Sequence, residues 1–422
     1  MSKILIMLFL LAPFMALTQA DTVQRVTEGR ANSKEQQQKP YVILISADGF
    51  RHDLATKFNA RNLLQLREEG VTARAMIPAY PSLTFPNHYT LVTGLYPSHH
   101  GLVDNTFIDL SKKDSYSMSK RGIVEDGSWY GGTPLWVLAE QQQMLTASFY
   151  WVGSEAAIKG IRPTYYYRYN EDLDIDRRIA IVKNWLTLPE EKRPHLITFY
   201  FPEVDHEAHS YGPDSKQAEA AVQFVDENVR KMVHMTNSLG LPVNYIFVSD
   251  HGMTVVDTLH TLQLPAAADT SRFFISGGDV LIHLYAKNKM HIRSTYKALK
   301  KQAVDYKVYL PQQTPKHWHY TKKDDWLNRI GDILLVPEYP KVFNLWNKRV
   351  SPGKHGYDNA MADMQAAFYA WGPAFKPHTT INAFENVHVY PLIATILGLT
   401  VSEKIDGSGA VLSPVLLSPA LR

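Results

Sequence analysis

Cysteine is absent from all 422 residues of the chain. Its absence excludes disulfide bonds, cysteine nucleophiles and thiolate metal ligands, so any metal site must be built from His, Asp and Glu. A secreted eukaryotic domain of this size would usually carry disulfides. The composition therefore favours a bacterial protein that is periplasmic or secreted.

A strong charge of one sign is also absent, since the net charge is +3 with histidine neutral. Neither this balance nor any dense block of lysine and arginine indicates a surface for nucleic acid. We therefore expect no stable nucleic-acid partner, and nothing in the sequence specifies an oligomeric state.

The apolar run at residues 4–17 is short for a membrane span, which needs about 20 residues. It follows Lys3 and precedes a Thr-Gln-Ala sequence at residues 18–20. This pattern is typical of a secretory signal peptide at residues 1–20, and an uncleaved N-terminal anchor is the alternative. Once the signal is removed, we expect no transmembrane segment.

Beyond the signal, residues 21–39 are polar and rich in glutamine, and we expect them to form a flexible leader. Short apolar runs typical of buried parallel strands then alternate with segments of helical periodicity. That alternation predicts a doubly wound α/β fold, a mostly parallel sheet with helices on both faces. Ligands of such sheets bind beyond the carboxyl ends of the strands, where Asp48, Asp205 and Asp250 lie. The predicted strands span residues 41–45, 195–201, 243–248 and 365–371, and the main predicted helices span residues 53–69, 215–239 and 390–397.

The pattern changes between about residues 277 and 346, where lysine clusters accompany two strand-like runs and a helical stretch. We interpret residues 277–346 as a small inserted α+β subdomain that caps the sheet. Residues 40–276 and 347–418 then form the catalytic domain.

Three aspartates and two histidines have the spacing of metal ligands. Asp205 and His209 are four residues apart, which puts both on one face of a helix within reach of one cation. Asp250 and His251 directly follow a strand, and the glycine after them permits the sharp turn that two adjacent ligands need. Asp48 ends the first strand, where it would serve as a ligand or as a helix cap. For Asp205 and His209 taken alone, a solvated loop is the alternative.

Thr84 stands at a predicted helix start, near the N-cap, with Pro86 in the first turn. Plain capping is the alternative for a threonine there. In the functional interpretation, the hydroxyl points into the positive end of the helix, where a phosphate binds. A Zn²⁺ ion would lower the pKa of that hydroxyl, as it does for bound water, and make it a nucleophile without a neighbouring general base.

As an ordered set, these motifs resemble those of the nucleotide pyrophosphatase/phosphodiesterase family from about residue 40 to residue 415. Each motif is weak alone, and the set is specific. The motifs are Asp48-Gly49-Phe50-Arg51, the run from Thr84 to Pro97, the run from His100 to Asn105, Trp151-Val152-Gly153-Ser154, Asp205 with His209, Asp250-His251-Gly252-Met253, His355-Gly356 and Met364-Gln365-Ala366.

The resemblance implies an alkaline-phosphatase-like fold and a site with two Zn²⁺ ions. It implies that Thr84 forms a covalent phospho-threonine intermediate. It further implies that Asn105 donates a hydrogen bond to a non-bridging phosphate oxygen as charge develops there. By the resemblance, Asp205, His209 and His355 would hold one zinc, and Asp48, Thr84, Asp250 and His251 would hold the other.

The resemblance also indicates the substrate. Phe85 and Tyr200 match aromatic positions that flank a nucleobase, and Tyr169 either joins them or packs within a strand. Two Zn²⁺ ions, three aspartates and an ionised Thr84 sum to a neutral site, which suits a singly charged phosphodiester better than a doubly charged monoester. We therefore expect small nucleotides as substrates and nucleoside 5′-monophosphates as products. The alternatives are a phospholipase-C-like hydrolase of lysophospholipid head groups and a phosphomonoesterase.

Overall fold

The computed structural model describes residues 22–417. The predicted signal peptide at residues 1–20 and the last residue of the predicted catalytic domain, residue 418, lie outside this range. Within it, no helix is both long and apolar enough to cross a membrane.

The strands of the described residues are β1 Arg25–Val26, β2 Tyr41–Ala47, β3 Val71–Ala73, β4 Met76–Ile77, β5 Thr106–Asp109, β6 Asp114–Ser117, β7 Thr146–Phe149, β8 Tyr165–Tyr167, β9 Leu196–Phe201, β10 Val243–Val248, β11 Thr254–Val255, β12 Phe273–Gly277, β13 Ile282–Ala286, β14 Tyr306–Tyr309, β15 Ile333–Pro337, β16 Gly353–Lys354, β17 Phe368–Trp371, β18 Thr379–Ile381 and β19 Phe384–Glu385. The α-helices are α1 Leu54–Lys57, α2 Arg61–Glu69, α3 Thr84–Thr93, α4 Pro97–His100, α5 Arg121–Val124, α6 Leu135–Gln141, α7 Ile175–Leu186, α8 Glu203–Tyr211, α9 Lys216–Asn237, α10 Ile292–Gln302, α11 Val389–Leu397 and α12 Gly409–Leu412.

The central sheet has nine strands in the order β1-β8-β7-β9-β2-β10-β17-β3-β18. Five of its eight strand pairings are parallel, including those that join β9, β2 and β10. All seven residues of β2 are buried, as the continuous apolar run predicted.

The apolar side chains of β2 alternate between the two faces of the sheet, and this explains why helices cover both faces. Val42 and Leu44 belong to a core that includes residues of α3, α6 and α11. Ile43 and Ile45 belong to a second core that includes residues of α2, α7 and α9. Successive side chains of a strand point to opposite faces, so the two cores lie on the two sides of the sheet. The predicted mostly parallel α/β sheet with helices on both faces is confirmed.

One predicted helix is divided. Residues 53–69 form α1 and α2 rather than one helix. Asn59 lies between them with a φ of 52°, in the left-handed region that a right-handed helix does not pass through. The apolar periodicity continues across this break, and for that reason the break was not visible in the sequence.

The expectation of a flexible leader is wrong for residues 22–39. Strand β1 pairs antiparallel with β8 at the edge of the central sheet. The buried Asn32 side chain accepts a hydrogen bond from the Leu145 backbone N–H at 2.7 Å and donates to the Glu190 and Arg193 carbonyls. The polar composition of the leader led to a wrong prediction, because the polar side chain of Asn32 binds buried backbone groups instead of water.

A second sheet, in the order β12-β13-β15-β14, has its own apolar core, which includes residues of α10. It covers most of the predicted insert, but its first strand begins at Phe273. The predicted boundary at residue 277 therefore falls at the end of a strand. The glycines at 277 and 278 belong to the hairpin between β12 and β13, and not to a linker between domains.

A buried arginine joins the region of the second sheet to the rest of the protein. The guanidinium of Arg329 donates to the Asp109 carboxylate at 2.9 Å and to the carbonyls of Gly101 and Trp129 at 3.0 and 2.7 Å. The side chains of Arg329 and Asp109 are 3% and 4% exposed. Removing one partner of such a pair leaves an uncompensated buried charge.

We expect Arg329→Met to lower the free energy of unfolding by about 3 kcal/mol, because Asp109 would remain buried without its counter-ion. Denaturant unfolding followed by circular dichroism measures this loss. The control is Arg272→Met, which removes an exposed ion pair with Asp269 and should cost less than about 1 kcal/mol. Equal stability of Arg329→Met and the unaltered protein would contradict the argument.

Candidate metal centre and active site

The carboxyl ends of three adjacent strands bring the predicted aspartates together. In the parallel register, Ser46 of β2 lies opposite Tyr200 of β9 and Val248 of β10. Asp48 follows β2 directly, and Asp250 follows β10 after one intervening residue, Ser249. Each aspartate is two positions beyond the paired residues Ser46 and Val248. The sheet register alone therefore delivers these carboxylates to one edge.

Glycine at position 49 allows helix α8 to approach this edge. A Cβ atom at Gly49 would lie 3.0 Å from the Asp205 Cα atom, and its φ is +68°. Either feature alone disfavours a side chain there. The glycine after Asp48 thus determines how closely Asp205 can approach Asp48.

The first cluster consists of Asp48, Asp250 and His251, each at most 1% exposed. One ligand atom from each lies within 4.8 Å of the others. The His251 Nε2 atom is 2.9 Å from Asp250 Oδ2 and 3.5 Å from Asp48 Oδ1. Thr84 adjoins this cluster, with its Oγ1 atom 3.2 Å from His251 Nε2.

The second cluster forms around Asp205. His209 Nε2 and His355 Nε2 lie 3.5 and 3.7 Å from Asp205 Oδ1. Helix α8 places Asp205 and His209 on one face through their four-residue spacing, as the sequence predicted. Ligand atoms of Asp205, His251 and His355 also lie within 4.8 Å of one another, so His251 stands between the two clusters.

Three histidines, His209, His251 and His355, each direct a nitrogen lone pair into the site because of the hydrogen bond that the other ring nitrogen makes. Each Nδ1 atom meets a backbone carbonyl: His209 meets Gly353 at 2.8 Å, His355 meets Ser82 at 2.8 Å, and His251 meets Gly252 at 2.9 Å. A carbonyl only accepts, so each Nδ1 carries the proton, and in the neutral imidazole Nε2 is an acceptor.

Facing lone pairs are the clearest sign that this site fits a cation. His355 Nε2 and His209 Nε2 lie 3.1 Å apart, and two acceptors at that distance repel unless a positive charge lies beside them. Asp48 Oδ1, Asp205 Oδ1 and Asp250 Oδ2 are buried without a hydrogen-bond partner. Carboxylate oxygens and imidazole nitrogens are ligands that divalent transition metals accept.

The pKa values show the same electrostatic tension. Burial, with the nearby charges of Asp250 and Asp205, raises the pKa of Asp48 well above its usual value. Although burial opposes it, the neighbouring His251 and His88 hold the pKa of Asp250 well below its usual value. Burial and the neighbouring His251 and His209 lower the pKa of His355. The raised pKa of Asp48 shows that this carboxylate is buried beside two others without enough positive charge around it, and a bound cation would supply that charge.

Thr84 is the first residue of α3 and not its cap. The N-cap is Leu83, whose own side chain makes no capping hydrogen bond. The interpretation of Thr84 as a plain cap is therefore wrong, while Pro86 lies in the first turn as predicted. The hydroxyl of Thr84 remains available on the side of the metal ligands.

Asn105 is oriented by the start of the same helix. Its Oδ1 atom accepts a hydrogen bond from the Phe85 backbone N–H at 3.0 Å. That bond satisfies one of the free N–H groups of the helix N-terminus. Because the oxygen accepts there, the Nδ2 group of Asn105 remains as a donor beside Thr84.

The second sheet and its connecting loops hold the segment that carries Asn105. His283 Nε2 lies 3.2 Å from Asp104 Oδ2, and both side chains are buried. Tyr320 donates to the Val103 carbonyl at 2.7 Å, and Ser276 donates to the Thr106 carbonyl at 3.0 Å. Residues 103–106 are therefore fixed from the side opposite the central sheet.

The predicted aromatic residues line a cavity of about 410 Å³ next to Thr84. Phe85, Tyr200 and Tyr169 all contribute to its walls. The rings of Tyr169 and Tyr200 meet edge to face, with centroids 6.1 Å apart. Tyr200 also donates to Asp48 Oδ2 at 2.7 Å, so it orients a carboxylate as well as lining the cavity.

His88 is a site residue to which sequence reasoning assigned no role. Its ring is fully buried, with Nδ1 3.0 Å from the Thr84 carbonyl and 3.3 Å from Asp250 Oδ2. Its Nε2 atom lies 2.9 Å from Ser46 Oγ. The four-residue spacing from Thr84 was the available signal, because it places both residues on one face of α3.

Three comparisons with known proteins bear on this site. Residues 42–358 match the family model described as type I phosphodiesterase / nucleotide pyrophosphatase. Human ectonucleotide pyrophosphatase/phosphodiesterase family member 1 is 33% identical over 402 residues, which cover 90% of this chain and 42% of the relative. Venom phosphodiesterase of Naja atra is 32% identical over 392 residues, which cover 90% of this chain and 46% of the relative. The chain thus spans less than half the length of these curated relatives.

Solved structures similar to this chain are covered along their whole length. Murine ectonucleotide pyrophosphatase/phosphodiesterase 5 has a TM-score of 0.83 and 30% identity, covering 90% of this chain and all of the compared chain. An inactive variant of that murine protein in complex with AMP has a TM-score of 0.83 and 29% identity.

Chelation should destabilise the protein if the clusters bind metal. A ligand at about a thousand times its dissociation constant stabilises the folded state by about 4 kcal/mol. We therefore expect prolonged dialysis against a chelator to lower the melting temperature, and added metal to restore it. Differential scanning fluorimetry gives the melting temperature, and elemental analysis gives the metal content.

Asp250→Asn should bind less metal per chain, because it removes a carboxylate charge at the first cluster. The control is Asp257→Asn, which alters an aspartate paired with Lys341 outside both clusters and should keep the full metal content. A melting temperature indifferent to chelator, in a protein that purifies without metal, would exclude the metal interpretation.

Proposed function

The chain belongs to the type I phosphodiesterase / nucleotide pyrophosphatase family, and on that premise we propose that it hydrolyses nucleotide phosphodiester or pyrophosphate bonds. The products are a nucleoside 5′-monophosphate and the group released from it. The observation that carries this proposal is Thr84, a hydroxyl at a helix N-terminus, 3.2 Å from His251 Nε2 and beside a buried cluster of carboxylates and imidazoles.

We propose that the site holds two Zn²⁺ ions. The buried carboxylate oxygens without partners and the three imidazole lone pairs support this donor set. Zinc bound there would lower the pKa of a hydroxyl and neutralise charge on phosphate oxygens. The proposed ligands are Asp205, His209 and His355 for one ion, and Asp48, Thr84, Asp250 and His251 for the other.

Thr84 is the proposed nucleophile. Its Oγ1 atom forms a bond to phosphorus as the bond from phosphorus to the leaving oxygen breaks. Water then cleaves the bond between Thr84 and phosphorus, which releases the nucleoside 5′-monophosphate and restores the hydroxyl. The N-terminus of the ten-residue helix α3 adds a favourable field for the phosphate.

Asn105 is proposed to stabilise the transition state. Its amide oxygen is held by the Phe85 backbone N–H, so its Nδ2 group is prealigned to donate to a non-bridging phosphate oxygen. A donor that does not need to reorganise during the reaction is worth about 3 kcal/mol in such sites.

A nucleoside is the proposed occupant of the 410 Å³ cavity. Its lining includes Phe85, Tyr200 and Tyr169 together with Thr84, so that a base against the aromatic rings leaves the phosphate at the hydroxyl. Aromatic rings stack with any base, and we propose broad base tolerance. The AMP complex of the murine relative supports a nucleotide as ligand.

The proposed location is the periplasm or the exterior of a bacterial cell. The signal-peptide pattern at residues 1–20 and the lack of cysteine support it. So does the word "ectonucleotide" in the names of the relatives.

Substrate charge tests the reaction class. We expect the p-nitrophenyl ester of thymidine 5′-monophosphate, a diester, to be cleaved with a higher kcat/KM than p-nitrophenyl phosphate, because the metal-loaded site is neutral. A chelator should abolish both reactions. Faster cleavage of the monoester would favour a phosphomonoesterase, and faster release of phosphocholine from a lysophospholipid would favour the lipid head-group hydrolase.

Replacing the nucleophile tests the mechanism. We expect Thr84→Ala to lower kcat on the diester by at least about a thousandfold, since it removes the attacking atom, while Thr84→Ser should keep measurable turnover. Thr93→Ala, at the other end of α3, removes the same atoms away from the site and should keep turnover. Substantial activity of Thr84→Ala, with metal content unchanged, would show that another group attacks phosphorus.

A further inference from the structure

Tyr200 contacts both the aromatic cavity and a proposed metal ligand. It lines the cavity together with Phe85 and Thr84, and its hydroxyl donates to Asp48 Oδ2 at 2.7 Å. Asp48 is 1% exposed, so water does not compete for this carboxylate. One side chain therefore joins the two parts of the site that are proposed to hold the nucleoside and the metal.

The backbone fixes Tyr200 and Asp48 beside each other. Tyr200 lies in β9 opposite Ser46 of β2. Just beyond the end of β2, the Asp48 N–H donates to the Phe201 carbonyl at 2.9 Å. The guanidinium of Arg178, whose side chain is 7% exposed, donates to the Tyr200 carbonyl at 3.2 Å. The hydroxyl therefore reaches Asp48 from a backbone that both β2 and α7 hold in place.

The ring of Tyr200 is less firmly held than its backbone. His88 meets it edge to face with centroids 5.2 Å apart, and Tyr169 meets it with centroids 6.1 Å apart. Tyr200 is nevertheless only partly buried, and it lines the cavity. A base in the cavity would therefore restrain a ring that the protein itself leaves partly free.

The bond from Tyr200 determines which oxygen of Asp48 is offered to a metal. The hydroxyl occupies Oδ2, whereas Oδ1 lacks a hydrogen-bond partner and lies 3.5 Å from His251 Nε2. A tetrahedral zinc has four ligand atoms. The four proposed ligands of this cluster fill those positions only when each of them, Asp48 included, supplies a single atom. Tyr200 thus binds the oxygen that must stay off the metal.

We propose that Tyr200 is a positioning residue that couples nucleoside binding to metal binding, because its hydroxyl orients Asp48 while its ring contacts the base. The inference rests on the proposed function and adds a coupling free energy between the two parts of that site. A group that orients a metal ligand in this way is worth about ten- to a hundredfold in metal affinity or activity.

The coupling acts in both directions. A base that restrains the ring of Tyr200 removes conformational freedom that metal binding at Asp48 would otherwise have to remove. Thermodynamic linkage then requires the metal to strengthen nucleoside binding by the same factor. A nucleoside lacks the phosphate that would contact the metal directly, so its effect on metal affinity must pass through the protein.

Thymidine and zinc measure this coupling in the native protein. Competition with a chromogenic chelator gives the zinc affinity with and without saturating thymidine, and titration calorimetry gives the thymidine affinity with and without zinc. We expect thymidine to raise the affinity for one of the two zinc ions about fivefold, which is the low end of couplings between sites. Zinc should raise the affinity for thymidine by the same factor.

Two variants separate the ring from the hydroxyl. Tyr200→Phe keeps the ring, so the zinc-free protein should bind thymidine as the native protein does. Without thymidine, its affinity for the same zinc ion should fall about tenfold, and thymidine should no longer raise that affinity. Phe85→Leu should do the reverse, weakening thymidine binding and leaving the zinc affinity measured without thymidine unchanged.

The matched control is Tyr245→Phe. It removes a buried hydroxyl that contacts Thr236 and does not line the aromatic cavity, so both affinities and their coupling should stay as in the native protein. The melting temperature of each variant identifies any that fails to fold. The thymidine effect on the native protein remains decisive if Tyr200→Phe does.

Equal zinc affinity of Tyr200→Phe and the native protein would overturn the positioning role. Thymidine that binds the native protein without changing its zinc affinity would overturn the coupling. Neither measurement involves catalysis, so both results would leave the proposed reaction intact. A zinc-loaded native protein that shows the coupling but cleaves no phosphodiester would overturn the proposed reaction instead.

Discussion

The structure depends on a concentration of unsatisfied charge at the carboxyl edge of its central sheet. Three buried carboxylate oxygens lack a hydrogen-bond partner there, and three imidazoles present Nε2 lone pairs because their Nδ1 protons are bound to backbone carbonyls. Burying such groups without a cation is costly. The fold tolerates the arrangement because the strands that bear it are fixed on both faces by apolar cores, so the ligands cannot relax apart. Rigid packing and electrostatic tension together form a preorganised cation site.

The same edge explains the start of helix α3. A helix N-terminus has unpaired N–H groups and a partial positive charge, and here the first of its side chains is Thr84. The cap is supplied from outside the helix, by the side-chain amide oxygen of Asn105, which accepts from the Phe85 N–H. This division leaves the Thr84 oxygen free of a capping bond, with its hydroxyl beside His251, and fixes the orientation of the Asn105 amide. A threonine that capped its own helix would have its oxygen occupied, so capping by Asn105 is what leaves the oxygen of the proposed nucleophile available.

The strands and the candidate metal ligands that follow them could be predicted from the sequence, and the features that were missed have physical reasons. The runs before Asp48 and Asp250 are apolar because both faces of the sheet are covered. The sequence therefore showed the strands together with the candidate metal ligands that follow them. The break at Asn59 was not visible because the apolar periodicity continues across it. The ordered leader and the cap of α3 were not visible because both are decided by contacts between segments that are apart in the sequence. The aspartate and histidine spacing could be recognised locally. The hydrogen bond from Tyr200 to Asp48 could not, because the two residues are 152 positions apart.

The two sheets contribute to the site in different ways. The central sheet, α3 and α8 position the proposed nucleophile and most of the proposed metal ligands. The second sheet and its connecting loops hold the segment that carries Asn105, because His283 contacts Asp104 and Tyr320 donates to the Val103 carbonyl. A substitution at His283 would therefore disturb the orientation of Asn105 without removing a proposed metal ligand. The insert thus acts on the site through the position of Asn105.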